Sequence, residues 1–334
     1  MVKIDWAHLE QVACNLCQNT ETQLLATNSR FNIPLNTVIC THCGLIYHNP
    51  RMTFDGFANF YEQDYRCLIE HDTRPVAELF QAQIKHGERI LTWLDTYLSR
   101  GMRVLDIGSG PGGQLWAFRE RCGAQVMGVE PAVEHAQWAR ETHALDIRSG
   151  MLEDFSFDTN SFDLVIISQT LNHLLDPFGS LQHVHSQLAP NGKIFLEVID
   201  FVYWTRLSTL TMATTIDHPY MFAQETLRAM IEQAGFEIVK WEADEDMPNR
   251  TREPGQPNLH IRVLGVKSEP RTVKYPSYRD ILKRIENNQR IYQRKHRWYW
   301  VYARIDRAKG MLRRIMGERG WNTMKNLAGE RHMP

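Results

Sequence analysis

The stretch VLDIGSGPGGQLW, Val104–Trp116, decides how the fold of this chain is predicted. Four glycines fall within six residues, directly after an apolar run that ends in Asp106. Glycines let the backbone turn tightly and approach a ligand closely. A loop of this kind can bind a nicotinamide dinucleotide, a nucleotide phosphate or another adenosine-containing cofactor, so its neighbours must distinguish between them.

On both sides of this loop, apolar runs and helical patterns alternate as they do in consecutive βα units. The pattern predicts strands at 103–107, 125–129, 145–148, 163–168, 192–198 and 261–266, and helices at 77–99, 113–122, 133–142 and 178–188. Continuous apolar runs such as LVII and IFLEV are typical of parallel strands that are covered on both faces. The chain is therefore predicted to be an α/β protein built on a mostly parallel sheet.

The residues around the glycines argue against a dinucleotide. The spacing from Gly108 to Gly113 satisfies GxGxxG, which alone is a weak match. Asp106 precedes the first glycine by two residues, where a carboxylate repels a pyrophosphate but attracts a cofactor that carries an ammonium and a sulfonium. Gly112 adds another point of close backbone approach, and Glu130 ends the second strand, where its carboxylate can accept both ribose hydroxyls.

These residues carry a family resemblance. Asp106-Ile-Gly108-Ser-Gly110-Pro-Gly112, with Glu130 beyond it, resembles the signature of the class I S-adenosylmethionine (SAM)-dependent methyltransferases. The stretches 162–177, 188–198 and 218–239 resemble the same family's fourth strand, its fifth strand, and its late helix with the strand that follows. The resemblance covers residues 80–270 and implies a Rossmann-like, doubly wound, mostly parallel seven-stranded sheet with SAM as cofactor.

The resemblance also implies roles for individual residues. Asp106 and the backbone of Gly108, Gly110 and Gly112 would hold the methionine part of SAM, and Glu130 the ribose. The remaining cofactor contacts would be Pro131, Met151 and Leu152 around the adenine, with Ser168 and Gln169 beneath the methyl donor.

Two histidines are the candidate catalytic residues. Methyl transfer from a sulfonium is an in-line displacement, and a hydroxyl acceptor profits from a nearby base, which is often histidine. His173 follows the fourth strand and His218 precedes the late helix, so both are expected at the carboxyl edge of the sheet, where ligands bind. Packing or capping roles remain the alternative for each. Glu197 or Asp200, at the end of the fifth strand, is a candidate to orient a histidine.

Four cysteines near the N-terminus predict a structural zinc site. Cys14 and Cys17, then Cys40 and Cys43, form CxxC…CxxC with 22 residues between the pairs. Two such turns complete a tetrahedral thiolate site and leave no position open for a substrate. The alternative is a reduced, metal-free hairpin. The aromatic helix that follows either docks this module or places Tyr61 and Tyr65 over a ligand pocket.

Charge divides the chain unevenly. Residues 1–270 carry a balance of −13 and residues 271–334 a balance of +12. We expect a zinc-ribbon module with its linker helix at 1–75, the SAM domain at 76–270 and a basic amphipathic helical tail at 271–334. The tail contains an apolar stripe from Trp298 to Met316, for which several interpretations are open. The stripe packs on its own domain or on a homodimer mate, or it docks a partner protein. The remaining interpretations are that the basic helix lies on a membrane surface or binds RNA. No signal peptide or long apolar run is present, so we expect a cytoplasmic protein, with peripheral contact at the inner face of the membrane left open.

The acceptor is inferred from the whole combination of motifs. A cysteine ribbon, CGLIYHNPRMT, an aromatic helix and a SAM domain together resemble the zinc-ribbon methyltransferases of saccharide pathways. This resemblance implies O-methylation of a sugar, nucleotide-sugar or surface glycan, with C-methylation of a keto-sugar second. An RNA methyltransferase and a non-enzymatic SAM-binding scaffold are weaker candidates. Nucleic acid is not the expected partner, because residues 10–50 contain Arg30 as their single Lys or Arg.

Overall fold

The computed structural model describes residues 8–63, 76–246 and 259–297. Its strands are β1 (Leu9–Glu10), β2 (Thr22–Ser29), β3 (Ile33–Cys40), β4 (Ile46–His48), β5 (Arg51–Met52), β6 (Arg103–Ile107), β7 (Gln125–Glu130), β8 (Asp146–Ser149), β9 (Phe162–Ser168), β10 (Leu188–Ile199), β11 (Tyr220–Met221), β12 (Phe236–Ala243) and β13 (His260–Lys267). Its helices are α1 (Phe54–Gln63), α2 (Val76–Leu94), α3 (Gly113–Cys122), α4 (Val133–His143), α5 (Pro177–Gln187), α6 (Phe201–Leu207), α7 (Leu210–Ala213), α8 (Gln224–Gln233) and α9, over residues 278–297.

The main sheet confirms the predicted fold class. Its seven strands have the order β12-β13-β10-β9-β6-β7-β8. Strands β10, β9, β6, β7 and β8 run parallel, and β13 is antiparallel to both of its neighbours. The carboxyl ends of the parallel strands therefore meet at one edge, which brings the loop after β6 next to the segment after β9.

Most predicted boundaries lie within a few residues of the observed ones. The prediction of a helix to residue 99 is too long, since α2 ends at Leu94 and Asp95 takes a positive φ of 37°. Strand β10 begins at Leu188 rather than at residue 192, because Leu188 pairs with Phe162 before a shift in register. Both differences lie at element ends, where local patterns are weakest.

A second sheet joins the cysteine module to the rest of the chain. It has four strands in the order β11-β4-β3-β2. Strand β11 comes from the segment between α7 and α8, and it pairs with β4 through Tyr220 opposite Tyr47 and Met221 opposite Ile46. The module is therefore continuous, strand to strand, with the segment that precedes α8.

The first part of the basic tail packs on its own chain. Ile281 and Ile285 of α9 are buried in an apolar cluster with Ile39 and Phe201. The predicted stripe from Trp298 to Met316 lies outside the described residues, as does Tyr65. Within the ranges described above, no helix has both the length and the apolar character that crossing a bilayer requires.

Candidate active site

The glycine loop after β6 has the conformation that its sequence predicts. Gly108, Gly110 and Gly112 have positive φ angles of 75°, 54° and 84°. A Cβ at Gly108 would lie 2.4 Å from the Thr170 hydroxyl oxygen, and one at Gly110 would lie 2.5 Å from the Gln83 side-chain nitrogen. Backbone conformation thus favours glycine at all three positions, and at Gly108 the close approach of the short Thr170 side chain excludes a Cβ as well.

Two carboxylates lie beneath this loop. Asp106 is 1% exposed and Glu130 is 8% exposed. Glu130 accepts a hydrogen bond from the Gly110 N–H at 2.7 Å and another from the Ala132 N–H at 2.8 Å. Burial raises the pKa of Asp106 well above its ordinary value, and the negative charge of Glu130 raises it further. A cation bound at this point would relieve both effects.

Buried polar atoms near the loop fit a SAM-like cofactor. The Oδ2 atom of Asp106 and the side-chain oxygens of Ser109 and Gln114 have no hydrogen-bond partner among the described residues. A buried acceptor without a donor is costly, so its presence points to a ligand that donates. The ammonium of a methionine moiety has the charge and the donors that such a site needs.

The other predicted cofactor residues differ in how deeply they are buried. Pro131 and Met151 are half-buried, and Met151 packs against a cluster that also contains Tyr61. Leu152 is 3% exposed and belongs to the main apolar core, so Met151 is the more accessible of the pair. Gln169 follows β9 with a positive φ of 57°.

Ser168 ends β9 within a buried polar network. Its hydroxyl donates to Glu197 Oε2 at 3.0 Å and lies 3.1 Å from His86 Nε2, which is itself 2.7 Å from the same carboxylate oxygen. Arg262 contacts the other oxygen of Glu197 at 2.9 Å. Burial would raise the pKa of Glu197, but His86, His260 and Arg262 together lower it well below its ordinary value. The carboxylate is therefore ionised and holds His86 in place.

His173 and His218 meet in a second buried cluster. Their ring centroids are 4.5 Å apart at nearly a right angle. Asp217 Oδ2 lies 3.7 Å from His173 Nδ1 and 3.6 Å from His218 Nε2. The Tyr61 hydroxyl lies 2.7 Å from His173 Nδ1. Four groups that can accept or donate a proton thus converge from three distant parts of the sequence.

The two rings are uncharged at neutral pH. Burial lowers the pKa of His218 to about 3, against the opposing attraction of Asp217. Burial likewise lowers the pKa of His173, again opposed by Asp217. Burial would raise the pKa of Asp217, but the two histidines, the hydrogen bond from the Thr215 hydroxyl and a backbone hydrogen bond together lower it. A neutral imidazole beside a carboxylate can accept a proton, and the carboxylate then stabilises the resulting cation.

The cluster lies close to the glycine loop. His173 belongs to the short helix Leu171–His173, which begins directly after Thr170. Thr170 is the residue whose side chain approaches Gly108. His173 therefore follows, by three residues, the side chain that approaches the cofactor loop, and it lies at the same edge of the sheet.

The four cysteines of the N-terminal module come together as predicted. Their sulfur atoms all lie within 4.8 Å of one another, with Cys14 and Cys43 3.3 Å apart and Cys17 and Cys40 3.5 Å apart. All four are free thiols. Four sulfurs this close fit a tetrahedral thiolate site, whose Zn–S bonds are about 2.3 Å long.

Sequence patterns do not predict the whole of this arrangement. Asp217 belongs to no motif, although its position directly before His218 is a usable signal. His86 lies within a helical pattern that contains no motif, and only Glu197 indicates that a histidine is oriented there. Tyr61 is predicted as a docking or lid residue, and its hydroxyl does reach His173.

Comparisons with known proteins identify the family. A family model described as a methyltransferase domain matches residues 37–240. The mitochondrial ubiquinone biosynthesis O-methyltransferase of Bos taurus is 26% identical over 156 residues, which are 41% of this chain and 42% of that protein. The ubiquinone biosynthesis O-methyltransferase of Xanthomonas axonopodis pv. citri is 37% identical over 107 residues, or 30% of this chain and 44% of that protein. The matches thus span less than half the length of these curated relatives.

Two solved structures are similar to this chain at low sequence identity. A SAM-dependent methyltransferase from Mesorhizobium loti is 19% identical with a TM-score of 0.41, covering 53% of this chain and 96% of that one. A SAM-dependent methyltransferase from Aquifex aeolicus is 15% identical with a TM-score of 0.43, covering 57% and 96%. Because the family model matches more than half of the chain, the protein belongs to the methyltransferase domain family.

Proposed function

We propose that this enzyme methylates a hydroxyl oxygen of a saccharide acceptor, and that the cluster of Tyr61, His173, Asp217 and His218 takes up the proton. The observation that carries the proposal is the burial of two neutral imidazoles around one carboxylate beside the glycine loop. A hydroxyl is a weak nucleophile until its proton is removed, and this cluster places an unprotonated imidazole next to a carboxylate that stabilises its protonated form.

The cofactor would be held by the residues that the resemblance assigns. Asp106 and the backbone of Gly108–Gly112 receive the methionine part of SAM, and Glu130 receives the ribose. Pro131, Met151 and Leu152 border the adenine, while Ser168 and Gln169 line the methyl side. SAM supplies an activated methyl group on a cationic sulfonium, and the buried carboxylate of Asp106 favours positive charge near it.

Within the cluster, we assign proton uptake to His218. A phenol donates its proton in a hydrogen bond to a neutral imidazole, so Tyr61 occupies His173 Nδ1. His173 is thereby oriented, and His218 is the ring that receives the acceptor's proton. Asp217 then stabilises the imidazolium through a contact that is already 3.6 Å long.

Oxygen is the preferred methyl acceptor for two reasons. The curated relatives named above are O-methyltransferases, and the cluster contains a proton acceptor that a hydroxyl substrate needs. The saccharide class itself rests on the ribbon and aromatic helix that precede the domain. Because those relatives act in ubiquinone biosynthesis, a quinone precursor is the competing substrate class.

C-methylation of a keto-sugar is the second candidate. The Tyr61 hydroxyl and the His218 imidazole place a proton donor and a proton acceptor in the same cluster. Such a pair can remove a proton from the carbon next to a ketone and hydrogen-bond the developing enolate oxygen. The methyl group would then be bound to carbon.

The direct test supplies SAM labelled in its methyl group together with a lysate of the source cells, followed by fractionation. We expect label in nuclease-resistant glycan, glycolipid or nucleotide-sugar fractions, and label lost with ribonuclease would overturn the proposal. Label in a quinone fraction would replace the saccharide class. Acid hydrolysis and mass spectrometry of the product distinguish a methyl ether from a C–C bond.

Variants of the cluster test the mechanism. Asp217→Asn and His218→Asn are expected to lower methyl transfer by about 100-fold or more, within the range for a lost general base. The matched control is His183→Asn, which changes a histidine of α5 that lies outside the cluster. Full activity in both cluster variants would show that proton uptake lies elsewhere.

A further inference from the structure

His48 is a buried side chain that the proposed chemistry does not use. It ends β4 and is 1% exposed. Its Nε2 atom lies 2.9 Å from the carbonyl oxygen of Thr215, and its Nδ1 atom lies 3.2 Å from the hydroxyl of Thr37. Because a carbonyl only accepts, Nε2 carries the proton and donates, while Nδ1 accepts from Thr37.

The backbone of His48 contacts the same segment at a second point, directly after His218. The His48 N–H donates to the carbonyl oxygen of Pro219 at 2.9 Å. Thr215 and Pro219 bracket Asp217 and His218 in the sequence, so one residue binds the chain on both sides of them. Strand pairing continues this contact, with Tyr47 opposite Tyr220.

Thr215, which His48 contacts, is itself hydrogen-bonded to the carboxylate of Asp217. The Thr215 hydroxyl donates to Asp217 Oδ1. The residue before it is also fixed, since the Arg30 N–H donates to the Thr214 carbonyl at 2.7 Å. Thr215 is 3% exposed, and its carbonyl accepts from the His218 N–H at 3.1 Å as well as from the ring of His48, so the ring is joined to the backbone of His218 through one shared oxygen.

We propose that His48 is a positioning residue that sets the place of Asp217 and His218 through the carbonyl of Thr215. The proposal rests on the proposed function, in which that pair takes up the proton. It makes the sheet of the cysteine module part of the active-site support, because Thr37 and His48 lie on β3 and β4. A shift of about 1 Å in a catalytic group is enough to cost about 100-fold in rate.

The test compares His48→Leu with His48→Gln in the full-length protein. A glutamine amide can donate to the Thr215 carbonyl, whereas leucine fills space without a donor. The primary readout is the NMR titration of the His173 and His218 rings, which needs no acceptor. The charged or titratable groups that face these rings are Asp217, Tyr61, Arg30 and His48 itself.

We expect the His218 ring of the wild-type protein to stay unprotonated down to pH 5, and the His173 ring to titrate below the ordinary histidine range. In His48→Leu, the loosened segment admits water, and at least the His218 ring should begin to titrate near the ordinary histidine range. His48→Gln should restore the wild-type titration. SAM affinity should stay within about twofold in both variants, since neither touches the glycine loop.

Methyl transfer gives the second readout. His48→Leu should lower kcat by about 10- to 100-fold, and His48→Gln should recover most of it. A merely structural role would lower the melting temperature of both variants alike, without moving the His218 titration. Equal titration curves in wild type, His48→Leu and His48→Gln would overturn the proposal.

A milder variant covers the case in which His48→Leu does not fold. Thr37→Val keeps the side-chain shape but removes the hydroxyl that donates to His48 Nδ1. It should shift the His218 titration in the same direction by a smaller amount, and an unchanged curve would contradict the positioning role. A shifted titration with full activity in Asp217→Asn would instead leave His48 as a positioning residue and refute the proposed function.

Discussion

At the scale of single residues, burial moves two ionisable groups towards their neutral forms. Asp106 has a pKa raised by burial and by Glu130, and His218 has a pKa lowered by burial to about 3. In each case the ordinary charged form would be unfavourable without a partner. Both shifts therefore have consequences that can be measured without knowing the acceptor.

Asp106→Asn should have opposite effects on binding and on stability. It removes a buried carboxylate with an unpartnered oxygen, so the cofactor-free protein should melt at the same temperature or higher near pH 7. SAM affinity should fall by about 100-fold, as expected for about 3 kcal/mol from a lost buried charge pair. Calorimetric titration and thermal unfolding measure the two effects. Asp146→Asn, at an exposed position of β8, is the control, and unchanged SAM affinity in Asp106→Asn would refute its assigned role.

His218→Asn should reduce the loss of stability in acid. Between pH 6.5 and about 3, the unfolded chain protonates this histidine and the folded chain does not, so its burial makes stability fall as pH falls. From pH 6.5 to pH 4.5 that loss amounts to about 2 kcal/mol for one fully buried histidine. Urea unfolding at the two pH values measures it in wild type and variant. If wild type and variant lost the same stability between the two pH values, His218 would gain its proton in the folded protein over the same pH range as in the unfolded chain.

At the scale of elements, the glycine loop depends on a close approach between two segments that follow neighbouring strands. Gly108 after β6 faces Thr170 after β9, and there is no room for a Cβ between them. Gly101 provides a contrast, because it has a similar positive φ of 77° but no atom of the described residues within 4 Å of an added Cβ. A comparison of alanine variants at these two glycines therefore separates the cost of backbone strain from the cost of a steric clash.

Gly108→Ala should therefore be more harmful than Gly101→Ala. Backbone strain at a positive φ costs about 1 kcal/mol in either variant. Gly108→Ala must also displace Thr170, which should weaken SAM binding by at least about tenfold, while Gly101→Ala should leave affinity unchanged. Isothermal titration of SAM with both purified variants tests this. Equal affinities would mean that the loop shifts freely and that close approach is not required.

At the scale of the whole molecule, the cysteine module and the methyltransferase domain form one continuous structure. Strand β11 completes the module's sheet and directly follows the segment that carries Asp217 and His218. The module's core also includes Ile39 and Ile46, which pack with Ile281 and Ile285 of α9. Disruption of the cysteine cluster should therefore lower the stability of the whole chain and not of the module alone.

The predicted zinc site is tested with Cys40→Ser, which takes away one of the four proposed thiolate ligands and should therefore abolish zinc binding and lower the melting temperature of the full chain. A chelator should reproduce both effects in the wild-type protein. Elemental analysis and thermal unfolding provide the measurements. Cys122→Ser alters a thiol outside the cluster and should do neither, and a Cys40→Ser protein with unchanged stability would argue against a structural ion.

Local patterns were sufficient for the sheet, the glycine loop and the cysteine cluster. The alternating pattern located six of the seven strands of the main sheet, and the family resemblance supplied the seventh, β12. The run from Asp106 to Gly112 indicated the cofactor loop, and the CxxC spacing predicted that four sulfurs come together. Each of these features depends on residues that are close in sequence, so composition and spacing specify them directly.

Long-range contacts decided the rest. Tyr61 and His173 are 112 residues apart, and His48 and Thr215 are 167 residues apart. No local pattern specifies that β11 pairs with β4, because a two-residue strand carries almost no periodic signal. The meeting of Tyr61, His173, Asp217 and His218 follows from packing the module against the main sheet, and that packing exists only in the folded chain.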